Sequence, residues 1–240
     1  MVVCLVCVVH DKEGRYVEFV RQAAPTLRAV YPHRYIAISD QTSDLLESEL
    51  RSSGFEVRRV PKAGASNARR DALRFVHDLP FEYFHYCDLD RILTWALTEA
   101  DELASVIMAV KNYDYVIFGR TTWAFHTHPE SWVRTEEITN HIFSLELGQE
   151  VDVTAGSCGF SKAAVDSILA HTTDKPTDSE WPMIIHRIKK GRIGFRAVNG
   201  LSYVEEINGP GTEQNDAATW AARVRLCHLI SRAAITTGKE

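Results

Sequence analysis

The sequence predicts an α/β fold with a mostly parallel central sheet and helices on both faces, on three grounds. Apolar, β-rich runs alternate with helix-period segments through the first half in the order β-α-β-α-β-α-β, which calls for a parallel sheet with right-handed crossovers. The opening run Val2–Val9 is continuously apolar, as in a strand buried on both faces. The 240 residues are 45% hydrophobic and 25% charged, with no internal repeat and no linker long enough to divide them. One domain over 1–240 is therefore expected, and a disordered tail, a collagen-like repeat or a coiled-coil rod is excluded.

The elements follow in order. Val17, Val20, Ala24, Leu27 and Val30 recur at helical spacing within a helix over Tyr16–Tyr31. Arg34–Ser39 is a second strand that ends at Asp40. Ser43–Ser52 is a short helix stopped by Gly54, and Phe55–Val60 is a third strand closed by Pro61. Ala68, Ala72, Phe75, Val76 and Leu79 mark the inner face of a helix over Ser66–Leu79, with Ser66 as its N-cap. Tyr83–Cys87 is a fourth strand running into Asp88-Leu89-Asp90. A helix over Thr98–Val110, a strand at Tyr115–Phe118, an aromatic loop over 119–133 and a helix over 134–147 come next. Val151–Phe160 reads as a sixth strand broken by Gly156 and Gly159, before helices over Ala163–His171 and Asp178–Lys190. Late strands at Gly194–Val198 and Leu201–Val204, a turn-rich loop over Asn208–Asn215 and an amphipathic helix over Asp216–Ala234 complete the chain.

Charge and cysteine usage narrow the function. Against 32 acidic residues stand 27 lysines and arginines, a net charge of −5, so the basic footprint of a nucleic-acid binder is missing. Cys4 and Cys7 form a C-x-x-C, but on a strand two residues three apart point to opposite faces and cannot share one metal. Buried free thiols of a reducing compartment are expected. The opening run has no positive flank and is followed by HDKEGR where a signal peptide would carry a small-residue cleavage site. With no apolar stretch of about 18 residues, a cytoplasmic protein is expected.

In an open parallel sheet, ligands sit at the C-terminal ends of the strands. His10-Asp11, Asp40, the stretch Gly64–Arg70 and Asp88-Leu89-Asp90 fall there. Asp88 and Asp90 leave strand four one residue apart, and alternation would point both carboxylates the same way. Two hard oxygen ligands so placed suit Mg²⁺ or Mn²⁺ shared with substrate phosphates; the alternative is an ordinary capping pair. Gly64–Arg70 turns into a helix whose free N–H groups, with Arg69 or Arg70, favour an anion. Asp178 either N-caps its helix or serves as a general base, with Glu180 in reserve, while Trp181 is a sugar-ring platform or core. His126 and His128 form an H-x-H with no third ligand nearby, so they read as acceptor-site or surface groups. Thr154–Ser157 offers a close approach at Gly156.

Taken together, these motifs resemble those of GT-A fold glycosyltransferases and are similar in order to family 2. GASNARRDAL resembles the family's Gly-rich turn and arginine, with Arg69 in the arginine's place, and CDLD resembles its D-x-D. TDSEWPMIIHRIKKGRIGF resembles its late acidic helix. The resemblance covers roughly residues 2–205 and implies a Rossmann-like GT-A domain. Its parts would be a donor half over 1–95, an acceptor half over 96–206 and a C-terminal loop and helix over 207–240. It implies a nucleotide-diphosphate sugar donor bound by His10, Asp11, Asp40, Arg69, Asp88 and Gly156. A Mn²⁺ or Mg²⁺ ion would sit on Asp88 and Asp90, with Asp178 as the base. The acceptor, whether glycan, lipid or small molecule, is left open. Family 2 often has asparagine-glutamate where His10-Asp11 stands and an acid where Thr177 stands. The late Q-x-x-R-W of processive enzymes is missing, so a single, inverting transfer is expected. The alternatives are a sugar nucleotidyltransferase, whose G-x-G-T-R start HDKEGR does not supply, and a non-catalytic nucleotide-sugar-binding domain. A dehalogenase-type phosphatase would carry its D-x-D on the first strand. The C-terminal helix suits packing on the domain or a homodimer partner, and Arg223, Arg225 and Arg232 permit peripheral membrane contact.

Overall fold

The computed structural model describes residues 2–209 and 216–239. Its strands are β1 (Val3–Val9), β2 (Arg34–Ser39), β3 (Glu56–Val60), β4 (Tyr83–Cys87), β5 (Tyr115–Arg120), β6 (Ser157–Ser161) and β7 (Ile193–Val198). They form one sheet in the order β3-β2-β1-β4-β6-β5-β7. β1 lies parallel to β2 and β4, β2 to β3, and β5 to β7. β6 runs antiparallel to both neighbours, with Cys87 opposite Ser157 and Ile117 opposite Cys158. The chain leaves β1 toward β2 and β3, then returns to β4 on the other side, so the switch point where such sheets bind ligands lies between β1 and β4.

The helices among the described residues are α1 (Val17–Val30), α2 (Asp44–Ser52), α3 (Ala65–Val76), α4 (Leu89–Thr98), α5 (Ala100–Val106), α6 (Thr122–His126), α7 (Glu130–Leu147), α8 (Lys162–His171), α9 (Thr177–Met183), α10 (Glu205–Asn208) and α11 (Ala217–Thr236). α1, α2, α4 and α5 cover one face of the sheet, and α3, α7, α8, α9 and α11 the other. Alternation along β1 divides its side chains: Val3, Leu5 and Cys7 enter the first core, and Cys4, Val6 and Val8 the second. Cys4, Cys7, Cys87 and Cys158 are buried free thiols, as the strand pattern anticipates. No helix among the described residues is long and apolar enough to cross a membrane.

Several elements depart from expectation for identifiable reasons. Residues 151–156 are not strand, because α7 side chains take the backbone groups a ladder would use. Ser144 Oγ accepts from Val151 N–H, and Asn140 Oδ1 accepts from Val153 N–H. Leu201–Val204 is not strand either: Tyr203 N–H goes to Thr127 Oγ1 and Val204 N–H to Asn208 Oδ1. The helix expected over Thr98–Val110 is α5 followed by a 3₁₀ segment at Ile107–Asn112. α4 comes before it and was not anticipated: Asp90, Arg91, Thr94 and Thr98 recur at helical spacing, but reading Asp88-Leu89-Asp90 as a strand end hides the start of the helix. The loop over 119–133 contains α6 and the start of α7. α3 begins after Gly64, whose φ is 91°, and not after Ser66. α9 is capped by Pro176, so Asp178 lies in its first turn, and beyond Pro182 the helix continues as a π-helix over Ile184–Lys189. Of the expected turn-rich loop, 210–215 lie outside the described residues.

Candidate active site at the strand C-termini

The ends of β1, β3 and β4 open onto a cavity of about 420 Å³. Val8, Val9, Val60, Pro61 and Ala68 give it apolar walls, and His10 lies at its edge with Nδ1 2.7 Å from Ser39 Oγ. Such a slot suits a flat heteroaromatic ring with a few polar anchors. Asp40 is exposed and stands outside the lining, where its Oδ1 accepts from Lys62 N–H at 3.1 Å and shapes the cavity's rim. Asp11 is a correction: it is buried and turned into its own loop. Its carboxylate accepts from Gly14 N–H at 2.9 Å and Tyr16 N–H at 3.0 Å, which sets the entry to α1.

Arg69, on the second turn of α3, is the hub of the site. Its Nη2 donates to Asp88 Oδ2 at 2.6 Å and its Nε to Asp88 Oδ1 at 3.3 Å, while Nη1 lies 2.9 Å from both oxygens of Asp178. Burial alone would lower the guanidinium's pKa, but Asp178 and Asp88 outweigh it and hold the group firmly charged. Tyr86 OH also donates to Asp88. Gly156 closes this wall. Its carbonyl accepts from Asp88 N–H at 3.2 Å, its φ is +74°, and a Cβ there would meet Asp88 Oδ2 at 2.9 Å.

Asp88 and Asp90 line both this cavity and a second one of about 520 Å³, so they stand in the wall between them. The reason differs from strand alternation. The strand ends at Cys87, Asp88 takes the N-cap position of α4, and Asp90 lies in its first turn, where the helix dipole favours negative charge. Their fitness for a divalent ion differs. Both oxygens of Asp88 are engaged by Arg69 and Tyr86. Asp90 Oδ2 accepts from Asn208 Nδ2 at 3.2 Å, and no hydrogen bond among the described residues reaches its Oδ1. No group of three or more His, Cys, Asp or Glu side chains able to cage a metal occurs among the described residues. One or two carboxylates completed by phosphate oxygens and water is the donor set that Mg²⁺-like ions accept, and these residues fit it.

Across the second cavity lie Arg91, Trp132, Glu136 and Arg223. The guanidinium carbons of Arg91 and Arg223 sit 5.7 and 4.5 Å from the Trp132 ring centroid. Arg223 pairs with Glu136 at 2.5 Å. Arg91, 8% exposed, donates to His128 Nε2 at 2.9 Å, and its nearest carboxylate oxygen, on Asp90, is 3.8 Å away. His128 is neutral, its pKa pushed down to about 2 by burial and by Arg91 and Arg120. His126 points elsewhere, to Thr122 O, so the H-x-H is not a paired site. Beneath the cavity, Arg120 is buried against Asp152 at 2.7 Å and Glu136 at 2.8 Å.

One more expectation is revised, and one open alternative is decided. Glu180 is 1% exposed and reaches neither cavity; it accepts from Arg70 at 2.9 Å, from the Thr172 hydroxyl, and from the Thr173 N–H and hydroxyl. It anchors the approach to α9. Trp181 is core, packed edge-on against Tyr86 and Phe160. Arg91 follows Asp90 in the motif that ends strand four, but its place in the second cavity is not foretold there, and the sequence offers no signal for Glu136 or Asn208, which come from distant segments.

A seven-stranded sheet in this order, with its single reversed strand and a cavity at the β1/β4 switch, is the GT-A fold. Glucosyl-3-phosphoglycerate synthase from Mycobacterium tuberculosis shares it. Its complex with Mn²⁺, UDP and phosphoglyceric acid matches with a TM-score of 0.61 at 12% identity, over 100% of this chain and 80% of that one. Its complex with Mn²⁺, UDP-glucose and phosphoglyceric acid matches at 0.61 and 13% identity, over 100% and 81%. A further mycobacterial protein matches at 0.54 and 12%, over 93% and 71%. At such identities the likeness is one of fold. No protein-family model and no curated protein matches the sequence. The likeness to family 2 rests on the sequence motifs alone.

Proposed function

We propose that this chain is a metal-dependent glycosyltransferase. It would move one sugar, with inversion, from a nucleotide-diphosphate sugar to a hydroxyl of a small anionic acceptor. The observation that carries this reading is that Asp88 and Asp90 form the wall between a slot fit for a nucleoside and a second, arginine-lined cavity, on whose side Arg69 ties Asp88 to Asp178. The base and ribose occupy the slot beside His10. The diphosphate lies over the start of α3, where helix N–H groups and Arg69 favour an anion. Asp90, with Asp88 beside it, would hold a divalent ion, which when bound offsets the charge building on the leaving diphosphate. Asp178 takes the acceptor's proton as the acceptor oxygen bonds to the anomeric carbon and the bond from that carbon to the diphosphate breaks. Entry opposite the leaving group inverts the centre.

Arg69 also orders the cycle. Before donor binds, it holds Asp178; donor phosphates compete for the same guanidinium and free the carboxylate. Arg91 and Arg223 support an acceptor bearing carboxylate or phosphate, and phosphoglyceric acid, the molecule crystallised in the fold relative, is the first to try.

The test is transfer from UDP-glucose with Mn²⁺. Asp178→Asn should lower kcat by about 10²–10⁴-fold with Tm retained, and chelation should abolish turnover. Normal turnover by Asp178→Asn would remove the base assignment. Tight nucleotide binding with no turnover on any acceptor would favour a binding domain instead.

A further inference from the structure

We infer that Asn208 is a positioning residue for the divalent ion, a neutral clamp that fixes Asp90 with one oxygen occupied and the other turned free. The inference rests on the transfer reading above. The orientation of the Asn208 amide is forced: its Oδ1 lies 2.8 Å from the backbone N–H of Val204, which can only donate. The Thr94 hydroxyl, itself fully buried, shares its one proton between this oxygen at 3.2 Å and Asp90 O at 3.0 Å. Nδ2 therefore faces Asp90, and donates to Oδ2 at 3.2 Å.

The clamp stands on a built platform. Asn208 ends α10, a single helical turn that packs on α4, and Ile207 beside it is buried in the core. Tyr203 OH donates to Gly209 O at 2.5 Å, and Arg15 reaches Ile207 O at 3.4 Å. Thus Val204 and Thr94 hold the amide itself, while Tyr203 and Arg15 hold the backbone on either side of it. An amide N–H fixes the carboxylate's rotamer without neutralising it, which a lysine or arginine in its place would do. Asn208 does not line either cavity, so it acts through Asp90 and not on substrate. Outer partners of this kind commonly tune metal affinity about 10–100-fold.

The experiment is Mn²⁺ binding in the presence of UDP, by calorimetry and by the paramagnetic signal of free Mn²⁺, on wild type, Asn208→Ala and Thr94→Val. Asn208→Ala should raise the Mn²⁺ Kd about tenfold or more, with metal-free UDP binding unchanged. Thr94→Val, which leaves Asn208 held by Val204 alone, should raise it about two- to threefold. A lower Tm with unchanged Mn²⁺ affinity would make Asn208 merely structural and overturn the inference. If Asn208→Ala fails to fold, an unchanged Kd in Thr94→Val overturns it alone. Wild type that binds no Mn²⁺ with UDP would remove the transfer reading along with it.

Discussion

At the scale of single residues, Gly156 shows how closely the site is drawn. A side chain there meets two obstacles, a backbone in the left-handed region and Asp88 Oδ2 at 2.9 Å. Gly156→Ala is expected to cost more than about 1 kcal/mol of stability and to weaken nucleotide binding, because Asp88 must turn from Arg69. Urea unfolding together with UDP titration checks both; unaltered UDP affinity would mean that Asp88 is not seated by this contact. The individual residues were unevenly legible. Asp88, Asp90, Arg69, Gly156 and Asp178 converge as their motifs suggested, since each sits at or just beyond a strand end or helix start. Asp11 and Glu180 carry the same charge in the same motifs, yet face inward to backbone and hydroxyl donors. Side-chain direction within a motif is set by neighbours the motif does not contain.

At the scale of elements, the start of α9 is held by the buried pair Arg70–Glu180, with side chains 3% and 1% exposed. Burial alone would raise the Glu180 pKa; hydrogen bonds from Thr172, Thr173 and Arg70 outweigh it and keep the carboxyl ionised. Glu180→Gln leaves Arg70 charged without its partner, and should destabilise by about 3–5 kcal/mol, read as a fall in Tm. A catalytic Glu180 would instead lose turnover at constant Tm, so the two roles separate in one thermal melt. Most elements were readable because strands buried on both faces appear as apolar runs and surface helices as stripes. α4 was not, because its first turn coincides with the two aspartates that read as the end of a strand, and 151–156 imitated a strand while α7 side chains captured its backbone.

At the scale of the molecule, two buried histidines tie stability to pH. His85 lies between Tyr31 OH and Ser157 Oγ, and burial pushes its pKa down to about 3; that of His128 is about 2. Both native values lie below the ordinary 6.5, so the unfolded chain takes up protons that the native state refuses. Stability is therefore complete above about pH 6.5 and falls as pH drops toward 3, by about 1.4 kcal/mol per pH unit for each histidine. Equal urea midpoints at pH 7 and pH 5 would refute their neutral burial. The alternation that foretold a parallel sheet could not foretell the reversal of β6, because strand direction depends on where a connection lands and not on the pattern within the strand. That reversal joins the first four strands to the rest through the β4–β6 ladder. A chain severed between residues 95 and 96 would thus leave β4 with a bare flank of amides and carbonyls. Such a fragment should recruit further copies of itself and precipitate, and only co-expression with the complementary piece should keep it in solution.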